Sequence, residues 1–439
     1  MSKPSSTRLT VTGLTWPLRL YRLGTRAVAP LAGGLFALRK RNGKEDRTRL
    51  GERRGFAGRK RPPGPLAWMH GASVGETTSM LPIIEHLARQ GFTVLVTSGT
   101  VTSAKLLAAR LPARTLHQYV PLDVPRYMNR FLDYWRPDLV LVAESEIWPN
   151  TIIEIKRRSI PLLLLNARMS ERSFRRWRKV AGTASAILQR FDLCLAQTPA
   201  DASRLERLGA PRVIVAGNIK YDVPPPPANP ATVAMLEAII GERPVWVAAS
   251  THPGEDEMVI AAHKALADIW PGLLTIIAPR HPDRGEGIAD LAMESGLRAT
   301  RRAQQTLPEN GVDIYIADTI GELGLFYRIA PITFIGGSLV AHGGQNPIEP
   351  AKLGCAILHG PHVRNFADVY ASLDSGHGAV PITDADELAI TVHALLEQPV
   401  QARAMARNAA NTVASLGGAV AKSIRSIEPY ILYMHLQSR

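Results

Sequence analysis

The sequence His-Gly-Ala-Ser-Val-Gly-Glu occupies residues 70–76 and decides how the first half of the chain folds. A short apolar run, residues 66–69, precedes it, and an amphipathic stretch, residues 80–87, follows it. This pattern predicts a strand, a glycine-rich turn and a helix with Glu76 in its first turn. In an open α/β sheet such a turn lies at the carboxyl edge of a strand, where ligands bind.

Two interpretations of Glu76 follow from the same residues. Ser73 and Glu76 have the spacing of a capping box, in which the serine side chain bonds the N–H at Glu76 and the glutamate bonds back. Alternatively, a carboxylate at this edge accepts a proton from a substrate hydroxyl. The heptapeptide alone leaves both open, and the rest of the chain must decide between them.

The composition predicts a globular protein that binds an anionic partner. The chain has 439 residues, of which 46% are hydrophobic and 21% charged, enough for two or three domains. Its 52 Lys and Arg against 38 Asp and Glu give a net charge of +14, which favours nucleic acid, an anionic membrane or a phosphorylated substrate. Only Cys194 and Cys355 are cysteines, and both lie in apolar runs, which favours a reducing compartment.

An amphipathic segment, residues 14–38, precedes the first strand. Four apolar residues recur in it at helical spacing: Trp16, Leu20, Leu23 and Ala27. Three arginines are expected beside that face: Arg19, Arg22 and Arg26. The uncharged part, residues 27–38, is too short to span a bilayer, and a basic collar follows at residues 39–44. We expect a peripheral or monotopic segment in a membrane interface, the alternative being a helix packed on the protein's own core.

Strand and helix patterns alternate in two successive series, which predicts two Rossmann-like domains facing across a cleft. The predicted strands are 66–70, 92–98, 138–143, 161–166, 193–197 and 213–216, and then 245–249, 273–278, 313–317, 332–335 and 356–358. Prolines at 224–227 and 230 mark the boundary. The expected parts are a membrane-associated segment at 1–44, domains at 45–223 and 231–418, a linker at 224–230, and a helix at 419–439 that returns to the first domain.

Polar residues follow two further strands of the first series. Glu144-Ser-Glu146 is expected to meet sugar hydroxyls or a cation. The alternative is that these are acids at the N-terminus of a helix whose first turn contains Pro149. Arg168 follows the next strand, and a basic run at 172–179 with two aromatic residues comes after it. That run either grips a phosphorylated acceptor or is a solvated helix face.

The second series predicts a nucleotide site. Ser250 or Thr251 is placed to bond a phosphate, and Arg280 to neutralise one as it departs. Gly336 and Gly337 end another strand and give a ligand room. The sequence His-Gly-Gly-Gln-Asn-Pro-Ile-Glu-Pro at 342–350 is the strongest signal, because its glycines let backbone approach phosphate oxygens ahead of a helix, and Glu349 is spaced to reach a ribose diol. The histidines of the chain lack the spacing of metal ligands.

Eight motifs in this order resemble the 3-deoxy-D-manno-octulosonic acid (Kdo) transferases of lipopolysaccharide assembly. They are HGASVGE (70–76), ESEIWPN (144–150), LNARMS (165–170), GNIKYD (217–222), ASTHPGE (249–255), APRHPDR (278–284), FIGGS (334–338) and HGGQNPIEPA (342–351). The resemblance spans nearly the whole chain.

The resemblance implies an inverting GT-B glycosyltransferase that needs no metal ion or other cofactor. It would transfer Kdo from CMP-Kdo to a phosphorylated, tetra-acylated lipid A precursor (lipid IVA) at the cytoplasmic face of the inner membrane, an anionic surface. Glu76 would be the catalytic base. The implied substrate-positioning residues are Glu144, Glu146, Arg168, Ser73 and Gly75, with the two glutamates not separable. The implied nucleotide-binding residues are Ser250, Thr251, Pro279, Arg280, Gly336, Gly337, Asn346 and Glu349.

Three rival functions remain at this point. One is another GT-B nucleotide-sugar transferase or epimerase of envelope biosynthesis, which shares the fold and the phosphate loop. Another is a nucleic-acid-binding protein, suggested by the positive charge, although the sequence has no recognisable nucleic-acid-binding motif, so no nucleic acid partner is expected. The third is a structural membrane-associated protein.

Overall fold

The computed structural model describes residues 13–41 and 45–437, and the chain divides into two compact units. Unit 1 extends to Val223 and resumes at Gly417, and unit 2 comprises Pro224–Leu416. Each unit contains a seven-stranded sheet in which all paired strands are parallel. Residues 42–44 of the predicted basic collar lie outside the described residues, as do residues 1–12 of the predicted N-terminal segment.

Unit 1 has the strand order β3-β2-β1-β4-β5-β6-β7. Its strands are β1 Leu66–His70, β2 Thr93–Ser98, β3 Thr115–Tyr119, β4 Leu139–Ala143, β5 Leu162–Ala167, β6 Leu193–Ala196 and β7 Val213–Val215. Its helices are α1 Trp16–Val28, α2 Ala32–Arg41, α3 Val74–Ser79, α4 Leu81–Arg89, α5 Val101–Arg110, α6 Pro125–Trp135, α7 Pro149–Arg157, α8 Glu171–Arg178, α9 Ala181–Leu188, α10 Pro199–Arg207 and, after unit 2, α19 Ala419–Gln437.

Unit 2 repeats this arrangement with the order β10-β11-β9-β8-β12-β13-β14. Its strands are β8 Val245–Thr251, β9 Leu274–Pro279, β10 Ala299–Arg301, β11 Ile314–Ile316, β12 Ile332–Ile335, β13 Ala356–His359 and β14 Ala379–Pro381. Its helices are α11 Pro230–Ile240, α12 Glu255–Ala267, α13 Gly285–Glu294, α14 Leu323–Ile329, α15 Ile348–Lys352, α16 Ala367–Ser375, α17 Ala385–Glu397 and α18 Pro399–Ser415.

The central strands are apolar on both faces because helices cover both sides of each sheet. In β1, Trp68 packs into a cluster with Phe131 and Val140, whereas Ala67 and Met69 pack into a second cluster on the opposite face. This double burial explains why the central strands were predictable as continuous apolar runs.

The structure adds three strands that the sequence patterns did not predict: β3, β10 and β14. Each of them is an edge strand. Residues of β3 and β10 are half-exposed and partly polar, because an edge strand is protected on fewer sides. Their sequences therefore lack the apolar run by which the buried strands were recognised.

Helix α1 has one face in the core of unit 1 and one face in solvent. Leu18 and Arg22 are buried, and Arg22 donates to a carboxylate oxygen of Glu154 in α7 at 2.6 Å. The expectation that Arg22 lies beside the apolar face with Arg19 and Arg26 is therefore wrong, because its side chain is buried and its charge is neutralised inside the protein. The predicted apolar face is exposed, with Trp16, Leu20, Leu23 and Ala27 all accessible.

No helix in the described ranges is long and apolar enough to span a membrane. Helix α19 packs on unit 1, where Ile427, Ile431 and Met434 enter a core cluster with residues of β1 and β2. Its first turn is held by the Asp222 carboxylate, which accepts the N–H groups of Gly418 and Val420.

We predict that Arg22→Met loosens α1. Breaking a buried ion pair destabilises a protein, but Glu154 still has Arg157 and Arg158 within 3.4 Å. The free energy of opening α1 should therefore fall by about 2–3 kcal/mol. Hydrogen exchange measures it as faster opening of residues 16–28. Arg26→Met is the matched control, since Arg26 is exposed on the same helix, and equal exchange in both variants contradicts the prediction.

Candidate active site

The strand order of unit 1 reverses direction between β1 and β4. The chain leaves the two strands toward opposite sides, which opens a crevice at their carboxyl ends, the usual ligand position in such sheets. The residues that follow β1 and β4 there are the motifs 70–76 and 144–150. The structure thus brings the two predicted acidic motifs to one edge.

Glu76 caps α3 and remains accessible. Ser73 is the N-cap and accepts the N–H of Glu76 at 3.3 Å, while its hydroxyl donates to Glu76 Oε1 at 2.7 Å. The N–H of Ala72 donates to Glu76 Oε2 at 2.8 Å. The capping interpretation is confirmed, and it leaves Glu76 half-buried beside the exposed Ser73 and Gly75. A role as base stays a prediction that this geometry permits.

Glu146 is fixed by side chains from two directions. Its Oε2 lies 3.3 Å from Nε2 of His70 and accepts the indole N–H of Trp148 at 2.6 Å. Burial raises the pKa of Glu146, but these hydrogen bonds outweigh it and hold the pKa below its usual value. Helix α7 begins at Pro149, as expected in the alternative interpretation of acids that precede a helix start, so that alternative stays open as well.

Glu144 has a different partner, Lys220, whose position beside it the sequence did not predict. The two side chains form an ion pair. Lys220 lies in a 3-10 turn, Ile219–Asp222, that follows β7. The one indication of a functional role for Lys220 in the sequence was that it lies in the motif 217–222. Glu144 has φ +52°, a left-handed conformation that is strained for a non-glycine residue and recurs at functional sites.

Arg168 joins this edge through its backbone. Its N–H donates to the Glu144 carbonyl at 3.4 Å, and its own carbonyl accepts the Ser145 hydroxyl at 2.7 Å. The guanidinium side is exposed. The basic run that follows forms α8, with Phe174 buried and its arginines exposed, so both interpretations of that run stay open.

Unit 2 has its own reversal of strand order, between β8 and β12. Here Gly336 is required by packing, since a Cβ on it would lie 2.5 Å from the Ser250 carbonyl oxygen. The loop after β12 is held by the buried Glu255, whose two oxygens accept the N–H groups of Gly337, Ser338 and Leu339 at 2.6–3.0 Å. These N–H groups bind protein rather than ligand.

The two hydroxyls predicted to bond phosphate differ in accessibility. Thr251 is buried and donates to Asp256 at 2.6 Å, whereas Ser250 is half-exposed with φ +60°. Pro279 pairs with Thr251 across the sheet, and the N–H of Arg280 donates to the Thr251 carbonyl at 3.0 Å. Arg280, whose side chain is exposed, is therefore anchored beside Ser250.

The N–H groups of the glycine loop at 342–350 form hydrogen bonds within the protein. Those of Gly343 and Gly344 donate to the Gly337 carbonyl, and that of Gln345 donates to the Gly336 carbonyl. The helix that follows, α15, has only five residues. The N–H groups of this loop are therefore not available to a phosphate that its backbone approaches, and the prediction of a nucleotide site rests on side chains. Asn346 and Glu349 are half-buried neighbours, with 3.2 Å between amide nitrogen and carboxylate oxygen.

A histidine cluster beside this loop was missed. The rings of His252 and His342 stack with centroids 3.8 Å apart, and His281 lies 6.3 Å from His252. Burial and the neighbouring positive charges lower the pKa of His252 to about 4, so it is neutral near pH 7. Three histidines far apart in sequence gave no pattern to recognise.

Two doubly wound parallel sheets, each with polar residues at its point of strand reversal, define the GT-B glycosyltransferase fold. Solved structures agree: UDP-GlcNAc 2-epimerase from Neisseria meningitidis matches with TM-score 0.57 and 15% identity over 84% of this chain and 100% of that chain. A glycosyltransferase from Rickettsia africae matches with TM-score 0.54 and 13% identity over 84% and 99%. At these identities the likeness shows the fold alone.

Sequence relatives define the family. The family model described as 3-deoxy-D-manno-octulosonic-acid transferase (kdotransferase) matches residues 48–223. The 3-deoxy-D-manno-octulosonic acid transferase of Haemophilus influenzae is 34% identical over 88% of this chain and 92% of its own length. That of Bordetella pertussis is 33% identical over 94% and 99%. The chain belongs to the Kdo transferase family, which confirms the resemblance.

We predict that Gly336→Ala destabilises unit 2. The added methyl would lie 2.5 Å from backbone oxygen and 2.7 Å from Thr251 Cα, distances that require the ends of β8 and β12 to separate. The expected loss in unfolding free energy is about 2–3 kcal/mol by urea denaturation. Gly287→Ala in α13 is the control, since its Cβ would meet nothing within 4 Å. An unchanged urea midpoint for Gly336→Ala refutes this account.

Proposed function

We propose that this Kdo transferase moves Kdo from CMP-Kdo to a phosphorylated, acylated lipid A precursor, lipid IVA, with inversion at the anomeric carbon. The observation that carries the proposal is the position of Glu76. Its carboxylate is oriented by Ser73 and by the N–H of Ala72, at the carboxyl end of β1 where the strand order reverses. A fixed, accessible carboxylate in that position suits a general base.

In the proposed step, an acceptor hydroxyl oxygen forms a bond to the anomeric carbon of Kdo as the bond from that carbon to the CMP phosphate oxygen breaks. Glu76 takes the hydroxyl proton. The electron pair of the broken bond leaves with the phosphate, so a single carboxylate suffices, unlike the pair that a glycosidase uses. Glu146 and Glu144 orient acceptor hydroxyls, and Arg168 is placed to contact the acceptor.

Unit 2 holds the nucleotide in this proposal. The leaving CMP carries a phosphate that is already a stable anion and needs electrostatic stabilisation rather than a general acid. Arg280 and the Ser250 hydroxyl are accessible, adjacent donors at the end of β8 and β9. Gly336 lets β8 and β12 approach closely beside them, so it acts through packing rather than by leaving room for a ligand. Asn346 and Glu349 bind the ribose in this proposal. These side-chain donors supply the stabilisation without a metal ion.

The acceptor's acyl chains place the enzyme at a membrane, which we propose is the cytoplasmic face of the inner membrane. The exposed apolar face of α1 suits an interfacial position, with Trp16 74%, Leu20 61% and Leu23 60% exposed. Exposed arginines of α8 offer the charge that anionic headgroups and acceptor phosphates attract.

We predict that Glu76→Gln abolishes transfer and leaves CMP binding intact. An amide cannot take the hydroxyl proton, so turnover falls by about 10²–10⁴-fold. Mass spectrometry of products from CMP-Kdo and lipid IVA measures turnover, and calorimetry measures the affinity for CMP.

Glu85→Gln is the matched control, because Glu85 lies on the neighbouring α4 with its side chain 51% exposed. It should retain parental turnover. Equal turnover by Glu76→Gln removes Glu76 as the base. The same assay with UDP-sugars separates the rival GT-B activity: transfer from a UDP-sugar, with none from CMP-Kdo, refutes the proposed donor.

We predict that Leu20→Ser combined with Leu23→Ser weakens membrane binding. Both side chains are exposed on α1, so the change removes apolar contact area without opening the core, and partitioning falls by about tenfold or more. Flotation with anionic phospholipid vesicles measures it, and turnover of detergent-dispersed lipid IVA should stay parental.

Ile390→Ser combined with Val400→Ser is the control, because these side chains are similarly exposed, 66% and 70%, on helices of unit 2. It should partition like the parent enzyme. If the α1 variant also floats with the vesicles as the parent does, α1 is not the membrane contact.

A further inference from the structure

A chain of hydrogen bonds runs from the core of unit 1 to Glu146. The indole N–H of Trp68 donates to Thr97 Oγ1 at 2.8 Å, and Thr97 Oγ1 lies 3.0 Å from Nδ1 of His70. Nε2 of His70 lies 3.3 Å from Glu146 Oε2. Trp68 and Thr97 are fully buried and His70 is 3% exposed. We call Trp68, Thr97 and His70 the β1–β2 relay, since they lie in those two paired strands.

The direction of the protons in the relay follows from its two ends. Thr97 Oγ1 already accepts from Trp68, so its own proton is free to be donated to Nδ1 of His70. A carboxylate at Nε2 only accepts, so Nε2 must carry the imidazole proton. Each of the three side-chain contacts, Trp68 to Thr97, Thr97 to His70 and His70 to Glu146, then has one donor and one acceptor. The backbone carbonyl of Thr97, 3.1 Å from Nδ1, would favour the opposite tautomer, which would turn a lone pair toward Glu146.

At the end of the relay, Glu146 has one carboxylate oxygen, Oε1, that is left for other partners. Glu146 Oε2 receives both His70 and the indole N–H of Trp148. Within the described part of the chain nothing donates to its Oε1. Glu144, in contrast, is paired with Lys220. The two glutamates that the sequence did not separate are thus distinct in their environment.

We propose that His70, oriented by Thr97, is a positioning residue that holds Glu146 ionised and aims its Oε1 at a hydroxyl of the acceptor sugar. This inference rests on the proposed function, because it assigns Glu146 to the acceptor. The reacting groups remain the acceptor hydroxyl, the donor and Glu76, and His70 acts only through Glu146.

A purely structural role predicts a different outcome, and unit 2 supplies the comparison. There His263 Nδ1 lies 2.8 Å from Thr275 Oγ1, both residues are buried, and the pair lies outside the residues assigned to donor or acceptor. Thr97→Val and Thr275→Val therefore remove the same kind of buried bond. Only the first is expected to change catalysis.

The decisive measurement is the pH dependence of kcat/KM for lipid IVA at saturating CMP-Kdo. In Thr97→Val the Nδ1 proton goes to the Thr97 carbonyl and Nε2 turns a lone pair toward Glu146, which raises the carboxyl pKa. We expect the acidic limb to move up by about one pH unit, so that the loss approaches tenfold only at pH values below the limb and kcat/KM stays close to parental at pH 7. The other charged groups at this edge are unchanged: Glu76 on α3, Arg168, and Glu144 with Lys220.

Two variants make the result interpretable. Thr97→Ser keeps the hydroxyl and should restore the parental limb, and Thr275→Val should keep the parental profile. CMP affinity and thermal midpoint confirm that each variant is folded. A parental profile in folded Thr97→Val overturns the proposal, and so does a shift in Thr275→Val equal to that in Thr97→Val.

A second readout separates this inference from the proposed function. Ring 15N shifts of histidine-labelled enzyme report the His70 tautomer, with His70→Gln assigning the signal. We expect protonated Nε2 in the parent and in Thr97→Ser, and protonated Nδ1 in Thr97→Val. An unprotonated Nε2 in the parent overturns the relay even where Kdo transfer is confirmed. The expected tautomers together with no Kdo transfer overturn the acceptor assignment and the proposed function, not the hydrogen-bond chain.

Discussion

The pairing of β1 with β4 in unit 1, and of β8 with β12 in unit 2, is the constraint on which both candidate sites depend. At each pairing the chain departs on opposite sides of the sheet, so the carboxyl ends of the two strands are left uncovered by their own connections. The close packing at Gly336 shows how tightly the second pairing is specified. Polar side chains are concentrated at both positions because the ends of these strands are accessible from solvent.

Unit 1 places three carboxylates at one edge without leaving any of them uncompensated. Glu76 is held by a hydroxyl and a backbone N–H, Glu144 by Lys220, and Glu146 by an imidazole and an indole. Neighbouring carboxylates would otherwise raise one another's pKa and lose charge. Three kinds of partner give the three carboxylates three environments, which is what the proposed division between one base and two substrate-orienting residues requires.

The sequence was informative where a polar motif directly follows a buried strand in the chain. The buried central strands and the motif after each of them were predictable, because an apolar run followed by glycine and polar residues has a local signature. Lys220, Thr97 and the stacked His252 and His342 were not predictable. Their partners come from other strands and loops, so their contacts depend on strand register and turn geometry. The three edge strands were missed for the related reason that half-exposed strands carry little apolar signal.

Helix α1 shows why an amphipathic pattern alone could not decide between a membrane and the protein's own core: one side of the helix packs on the core of unit 1, and the other side is apolar and exposed. Its buried side is tied to Asp123, which accepts the Tyr21 hydroxyl at 3.0 Å. The same Asp123 carboxylate accepts the N–H groups of Asn150 and Thr151 at the start of α7. Since α7 directly follows the loop that carries Glu146, one buried carboxylate joins the exposed apolar helix to the candidate acceptor site. The orientation of α1 is therefore fixed by the same carboxylate that holds the start of α7.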